Sequence, residues 1–262
     1  MNFFSKFSVF HKIYFLVFLI FNIILFFMPL AHGQSITTLG VVGLIVAVSG
    51  LFAAIYTARA EVPAYAWGVI NTIFYIIISI ENHMYAEIIL YVIYMLPMNI
   101  YGFFAWRKSA KEAKKDNGEE SATIEVKSLK SSSWVVIIIG ILVVWAAYAA
   151  FVYFLPEILH AVSGITIPRD NVWYIDSFTA TVTIFAVIIA TLRYKETWYF
   201  WILGDAVGIV LYIIALLHSS SFSFSTLSGA MMWIQFTVNA IYGLIVWKRL
   251  GNKQNGGDTK TA

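Results

Sequence analysis

The chain has 262 residues, of which 60% are hydrophobic, 17% aromatic and only 12% charged, with no cysteine and a formal net charge of +3. A soluble domain is about half apolar and a quarter charged, so this composition excludes one and leaves room for roughly seven or eight spanning helices of about 20 residues. The lack of cysteine excludes a disulfide framework, a thiolate metal site and a cysteine nucleophile, and with seven of the seventeen basic residues in one loop the charge does not imply nucleic acid.

Taken in chain order, the long apolar runs predict eight transmembrane helices, at about 13–30, 37–58, 65–81, 84–106, 134–155, 173–192, 198–217 and 226–247. Continuous apolar stretches such as Ile76-Ile77-Ile78 lack the alternation of a barrel strand. The first run follows a basic start and precedes Ala31 and Gly33, a pattern shared by signal peptides and anchors; its length predicts a retained helix. Residues 107–133, with Lys111, Glu112, Lys114, Lys115, Asp116, Glu119 and Glu120, read as a solvated linker, and the last dozen residues as a disordered tail. Of the 17 Lys and Arg, all but Arg169 fall on one side of the predicted membrane: at the N-terminus, at Arg59, in the 107–133 loop, at Arg193 and Lys195, and in the tail. Basic flanks stay in the cytoplasm, so both termini are expected there.

The flanks of the linker repeat each other. Arg59 precedes Trp67 by eight residues and Asn71 follows four later; Arg193 precedes Trp201 by eight and Asp205 follows four later. Each half ends on a similar phrase, Asn99-Ile100-Tyr101-Gly102, three residues, then Trp106-Arg107-Lys108, and Asn239-Ala240-Ile241-Tyr242-Gly243, three residues, then Trp247-Lys248-Arg249. Both copies run from outside to inside, and the odd helix between them restores that direction. The expected fold is all-α and integral to the membrane: an additional N-terminal helix (1–34), a first three-helix repeat (35–108), a cytoplasmic loop (109–133), a linker helix with its outer loop (134–168), a parallel second repeat (169–250) and a tail (251–262). Parallel repeats place a substrate site near the midplane between the halves.

Leu192-Arg193-Tyr194-Lys195-Glu196-Thr197-Trp198-Tyr199-Phe200-Trp201, with Trp-x-x-Trp opening a helix after a short basic loop, resembles the PnuC family of bacterial nicotinamide riboside transporters. The stretch Tyr85-Ala86-Glu87, running through Tyr94 to Tyr101-Gly102 and Trp106, looks like that family's third core helix. The similarity covers roughly residues 37–250 and departs in the last helix, where Met231, Met232, Trp233 and Gln235 stand opposite a tyrosine-rich stretch of the first copy. It implies a seven-helix core like that of the SWEET sugar transporters, in a bacterial inner membrane. It also implies facilitated uptake of a vitamin nucleoside by alternating access, the product being trapped by a cytoplasmic nicotinamide riboside kinase. No cofactor, metal or nucleic acid is implied.

Polar side chains inside apolar helices are costly, about 2.5 to 3.5 kcal/mol for a central Asp on insertion scales, so each calls for a role. Asp205 and its repeat mate Asn71, Gln235 and Asn239 on one face of the last helix, and Asn99 with Tyr91 and Tyr94 form the polar list. Trp67, Trp198 and Trp201 supply aromatic faces. A pyridinium cation suits aromatic faces, at about 0.5 to 2 kcal/mol each; amides match a carboxamide and hydroxyls, and a carboxylate accepts from a ribose diol or balances the ring charge.

Other readings stay open for several of these. Trp67 and Trp198 fit an interfacial belt as well as a pocket, and Trp106 and Trp247, each followed by two basic residues, read as belt residues. Asn71 and Asn239 could bond across helices, Asp205 could couple a proton, and Gly204 with Gly208 suits a helix contact. The five histidines lie near predicted helix ends and read as surface residues; no Gly-x-x-x-x-Gly-Lys loop or hydrolase constellation is present. The rival functions are a thiamine or riboflavin transporter, a proton-coupled version using Asp205, a membrane enzyme acting on lipids, and a sensor signalling through the 107–133 loop. The glycines of the first core helix, Gly40, Gly43 and Gly50, offer a face for a neighbour, so a homo-oligomer stays open.

Overall fold

With no water in the bilayer core, each crossing segment must satisfy its own backbone, which makes every long apolar run a helix. The computed structural model describes residues 7–31, 33, 35–81, 84–117, 124–169, 172–218 and 224–257. In chain order they form α1 (Val9–Ala31), α2 (Thr38–Ala58), α3 (Pro63–Glu81), α4 (Tyr85–Leu90), a π-helical turn (Tyr91–Met95), α5 (Leu96–Asn117), α6 (Ser131–Ser163), α7 (Trp173–Thr191), α8 (Thr197–His218) and α9 (Phe224–Gly257). All eight expected runs are helical. Among the described residues there is no β-strand, only an isolated bridge between Lys127 and Tyr194. Six helical stretches there are long and apolar enough to cross a membrane: α1, α2, α3, α4 continued into α5, α6 and α7.

The π turn follows from Pro97, which sits in the first turn of α5 without an N–H to donate backwards. The helix widens to accommodate it, and the Leu96 N–H reaches the carbonyl of Tyr91, five residues back.

Six of the elements close a ring. α2 packs on α3, α3 on α5, α5 on α7, α7 on α8, α8 on α9, and α9 returns to α2. α6 sits outside on α7, its Val135, Val136, Ile138, Ile139, Leu142 and Val143 exposed as a lipid-facing surface requires. α1 seats on the seam of α2 and α9, burying Tyr14, Phe15 and Phe18; Phe10 stacks on Tyr242 at 3.8 Å and the Tyr14 hydroxyl donates to the Gln235 carbonyl at 3.1 Å. This docked aromatic face makes α1 a part of the bundle. His11 corrects the surface reading of the histidines: it is buried, with Ser8 Oγ 3.1 Å from Nδ1 and Tyr242 edge-on at 4.8 Å. His160 is exposed as expected, whereas His32, His83 and the His218 side chain lie outside the described residues.

α2 and α7 end alike. Ala60 (φ 57°) and Arg193 (φ 71°) take the left-handed conformation. The N–H groups of Ala60 and Glu61 return to Thr57 and Tyr56, and those of Arg193 and Tyr194 to Ala190 and Ile189, two Schellman motifs. A β-carbon is strained at positive φ, so Ala60→Gly is expected to raise the melting temperature by the equivalent of about 0.5 to 1 kcal/mol in a thermal unfolding series; an unchanged or lower value counts against strain at this turn.

Trp106 and Trp247 correct the belt reading. Both are fully buried, and each indole N–H crosses to the other half: Trp106 donates to the Ala190 carbonyl at 3.1 Å and Trp247 to the Thr57 carbonyl at 2.9 Å. Those two carbonyls occupy the same position in the two Schellman motifs. An interfacial position in sequence says nothing about azimuth, and here the indoles point into the ring, where a buried N–H needs an acceptor.

The linker and the tail also depart from expectation. α5 continues as helix to Asn117 and α9 to Gly257, while residues 258–262 lie outside the described set. Within the linker, Ile124 and Val126 are buried against Trp106, Trp198 and Trp247, so this part of the loop is docked rather than solvated. The cause is its alternation: Ile124 and Val126 face the bundle while Glu125 is turned to solvent.

Candidate functional site

The polar and aromatic residues expected to hold a ligand come from α3, the π turn, α5, α8 and α9, all members of the ring or continuous with it. Near one end, four aromatic rings meet across the halves: Tyr65 lies edge-on to Trp106 at 4.9 Å, Trp198 edge-on to Trp247 at 5.7 Å, and Trp106 and Trp247 are 5.8 Å apart. Trp198 is therefore a buried member of this cluster rather than a belt residue, and its Nε1 has no hydrogen-bond partner. Trp201 is half-buried between this cluster and the core of Val182, Ala186 and Phe200. Trp67 stacks on Phe52 at 4.5 Å and lines a shallow apolar recess formed by α2 and α3, whose lining includes no other candidate.

The amides divide between structure and site. Asn71 donates to the Val46 carbonyl at 2.8 Å and Asn239 to the Ala54 carbonyl at 3.1 Å, the cross-helix bonds that were the alternative reading for both. Asn99 donates to Thr72 Oγ1 and to the Met95 carbonyl, each at 3.0 Å, and its Oδ1 rests so close to Gly68 that a β-carbon there would lie 2.5 Å away. The Tyr94 hydroxyl crosses the ring to the Ile184 carbonyl at 2.6 Å, and Tyr91 packs on Tyr75 with centroids 4.3 Å apart. Both tyrosines belong to the π turn, a feature that frequently marks function.

Of the six buried side-chain polar atoms without partners among the described residues, four lie on α8 and α9; the other two are His11 Nε2 on α1 and Ser79 Oγ on α3. Asp205 is only 3% exposed and its Oδ2 is unpartnered; Asn239 Oδ1, Trp198 Nε1 and Trp233 Nε1 are likewise buried without partners. Buried polar groups are nearly always satisfied, and an unpaired buried ionised group costs far more than an unpaired neutral one. Gln235 is buried one turn before Asn239, with Tyr14 of α1 on its carbonyl. Asp205 Oδ2 and Asn239 Oδ1 are unmet acceptors and the two indole N–H groups unmet donors; Trp233 packs on Gly208 and Trp198 on Gly243, so the donors stand at different levels of the α8–α9 contact, about 15 Å apart along α8.

Sequence reasoning missed three of these neighbours. Tyr14 lies on a helix outside the repeat. Thr72 is an ordinary-looking residue that becomes visible only as the partner of Asn99. Trp233 fills the notch of Gly208, where a β-carbon would lie 2.3 Å from the indole; the small-residue face of α8 was the signal that a large ring sits there.

Comparisons with known proteins agree with this architecture. A crystal structure of the vitamin B3 transporter PnuC superimposes with a TM-score of 0.70 at 23% identity, covering 95% of this chain and 94% of that one. The nicotinamide riboside transporter PnuC of Neisseria mucosa is 24% identical over 212 residues, 81% of this chain and 73% of its own length. The proteins of the same name from Escherichia coli and Haemophilus influenzae are 25% and 24% identical, covering 78% and 79% of this chain and 88% and 79% of their own lengths. The family model described as nicotinamide mononucleotide transporter matches residues 40–249, so this multi-pass membrane chain belongs to that family, the PnuC transporters.

Proposed function

We propose that the chain takes up nicotinamide riboside across a bacterial inner membrane, by facilitated diffusion with alternating access to one site inside the ring. The observation that carries this reading is the buried, unpartnered Asp205 Oδ2 on α8, with further unmet groups on the adjacent α9, in a chain whose named relatives are riboside transporters. The riboside's fixed pyridinium charge balances that carboxylate, its carboxamide and hydroxyls meet Asn239 and Gln235, and Trp198, Trp201 and Trp233 offer ring faces. In this reading the protein performs no chemistry on its substrate.

The architecture proposed with it is eight spans arranged as 3+1+3 behind an additional helix: α2, α3 and α4–α5, then α6, then α7, α8 and α9. The paired Schellman motifs and the reciprocal bonds from Trp106 and Trp247 support two related halves. Placing both termini in the cytoplasm follows from the charge count, with Arg169 and its partner Glu157 at the other end.

The family's description names the mononucleotide and the relatives' names the riboside, and charge decides between them. No Lys or Arg occurs in residues 13–58, 60–106, 170–192 or 196–247, so the ring holds no cation inside the bilayer. A phosphomonoester would bring up to two negative charges next to Asp205 with nothing to pair them. In calorimetric titration of the purified protein, the riboside is expected to bind at least about 100-fold more tightly than the mononucleotide, a difference of about 2.7 kcal/mol. Equal affinities would overturn the charge argument, and binding of thiamine in place of the riboside would move the chain to another vitamin.

A further inference from the structure

The docked part of the linker joins both halves at the basic end of the ring. The Ile124 N–H donates to the Ala60 carbonyl at 3.0 Å, on the α2–α3 turn. Three residues on, the Lys127 N–H donates to the Arg193 carbonyl at 2.8 Å and the Lys127 carbonyl accepts from the Lys195 N–H at 3.0 Å, on the α7–α8 turn. Ala60 and Arg193 are the two left-handed residues that end α2 and α7, so one short extended segment spans the corresponding carbonyls of the two halves. Ile124 is 0% exposed and Val126 6%, both packed on the cluster that includes Tyr65, Trp106, Trp198 and Trp247. The segment therefore lies across the end of the ring and over its four aromatic rings.

Its ties are unequal. Besides the bonds at Lys127, the second half holds it through the Val126 N–H to Gln254 Oε1 at 2.9 Å, the Gln254 amide to the Ile124 carbonyl at 3.2 Å, the Leu129 N–H to Glu196 Oε2 at 3.1 Å, and Arg193 facing Glu125 at 3.5 Å. Among the described residues, the first half holds it by the Ile124 N–H and by the packing of Ile124 and Val126 on the cluster that includes Tyr65 and Trp106. Alternating access parts the halves at one end at a time, and a segment bonded to both must then let go of one.

We propose that residues 124–129 are a strap that closes the cytoplasmic mouth of the pathway and travels with the second half, breaking at Ile124–Ala60 when the mouth opens. This rests on the transport reading and the orientation proposed above. Among the described residues, release from the first half breaks one main-chain bond and loosens the packing of Ile124 and Val126, which is cheap enough to be reversed in each cycle; release from the second half would break at least five hydrogen bonds.

A chain without native cysteine suits the test. Ala60→Cys with Ile124→Cys ties the strap to the first half, and Val126→Cys with Gln254→Cys ties it to the second; both pairs are closed with a short bifunctional thiol reagent and assayed for counterflow of labelled riboside in liposomes. Closing the first pair is expected to cut counterflow at least tenfold, and closing the second to leave it within twofold of the unreacted protein. Unchanged counterflow after closing the first pair, or arrest after closing the second, overturns the proposal. Unreacted variants that carry no riboside at all count against the substrate reading instead. The strap is then judged without substrate: Ile124→Cys is expected to react with a membrane-impermeant maleimide at least tenfold more slowly than Lys108→Cys at an exposed position, and equal rates would overturn it.

Discussion

Asp205→Asn is expected to weaken riboside binding by about 100-fold in calorimetric titration, while the melting temperature of the ligand-free protein stays level or rises. A hydrogen bond or close pairing that involves a charged group contributes about 1.5 to 3 kcal/mol, which corresponds to roughly 10- to 150-fold in affinity. Asparagine keeps the volume and the accepting oxygen but gives up the charge that balances the pyridinium. In the ligand-free protein that charge is a cost, since the carboxylate is buried and Oδ2 has no partner. Removing it relieves desolvation and breaks no bond at that oxygen, so affinity and stability are expected to move in opposite directions or independently. An Asn variant that binds as tightly as the parent would remove Asp205 from the site. One that loses binding together with its fold would make the carboxylate structural. Trp201→Ala, which removes an aromatic face without touching the charge, is expected to lower affinity by about tenfold or less at unchanged selectivity over the mononucleotide.

The parts of this molecule legible in the sequence are those that depend on one segment at a time. Each long apolar run is a helix because lipid allows nothing else, and the paired phrases Asn-Ile-Tyr-Gly and Asn-Ala-Ile-Tyr-Gly mark the ends where the two halves meet. What the runs do not encode is azimuth. Trp106 and Trp247 stand near predicted helix ends in the sequence, but both indoles are buried and donate to the carbonyls of Ala190 and Thr57. Asn71 and Asn239 were legible as costly polar residues; that both spend their amide N–H on neighbouring helices is a property of the packing. The strap carried a faint signal, since Ile124-Glu125-Val126-Lys127 alternates like a strand inside an otherwise charged loop. Two apolar residues are too few to outweigh that charge until the turns at Ala60 and Arg193 offer them a place.

The glycine of each terminal phrase leads to the second large effect: Gly102→Ala is expected to destabilise the protein by about 2 to 4 kcal/mol, read as a fall of several degrees in melting temperature. A β-carbon on Gly102 would lie 2.2 Å from the Tyr65 ring, and Tyr65 cannot retreat without giving up the 2.9 Å hydrogen bond between its hydroxyl and Thr191 Oγ1. That bond is one of the ties between α3 of the first half and α7 of the second, so the overpacking is transmitted to the contact between halves. Gly243→Ala is expected to act alike, because a β-carbon there would lie 2.4 Å from Trp198. Gly204→Ala serves as the control: its β-carbon meets Val182 at an ordinary 3.6 Å, and alanine's better helix propensity is worth up to about 1 kcal/mol in its favour. The decisive comparison is a double-mutant cycle. In a Tyr65→Ala background the ring is gone, and Gly102→Ala is expected to cost nothing further, whereas an undiminished penalty would mean that Gly102 is required for its backbone rather than for the ring it seats.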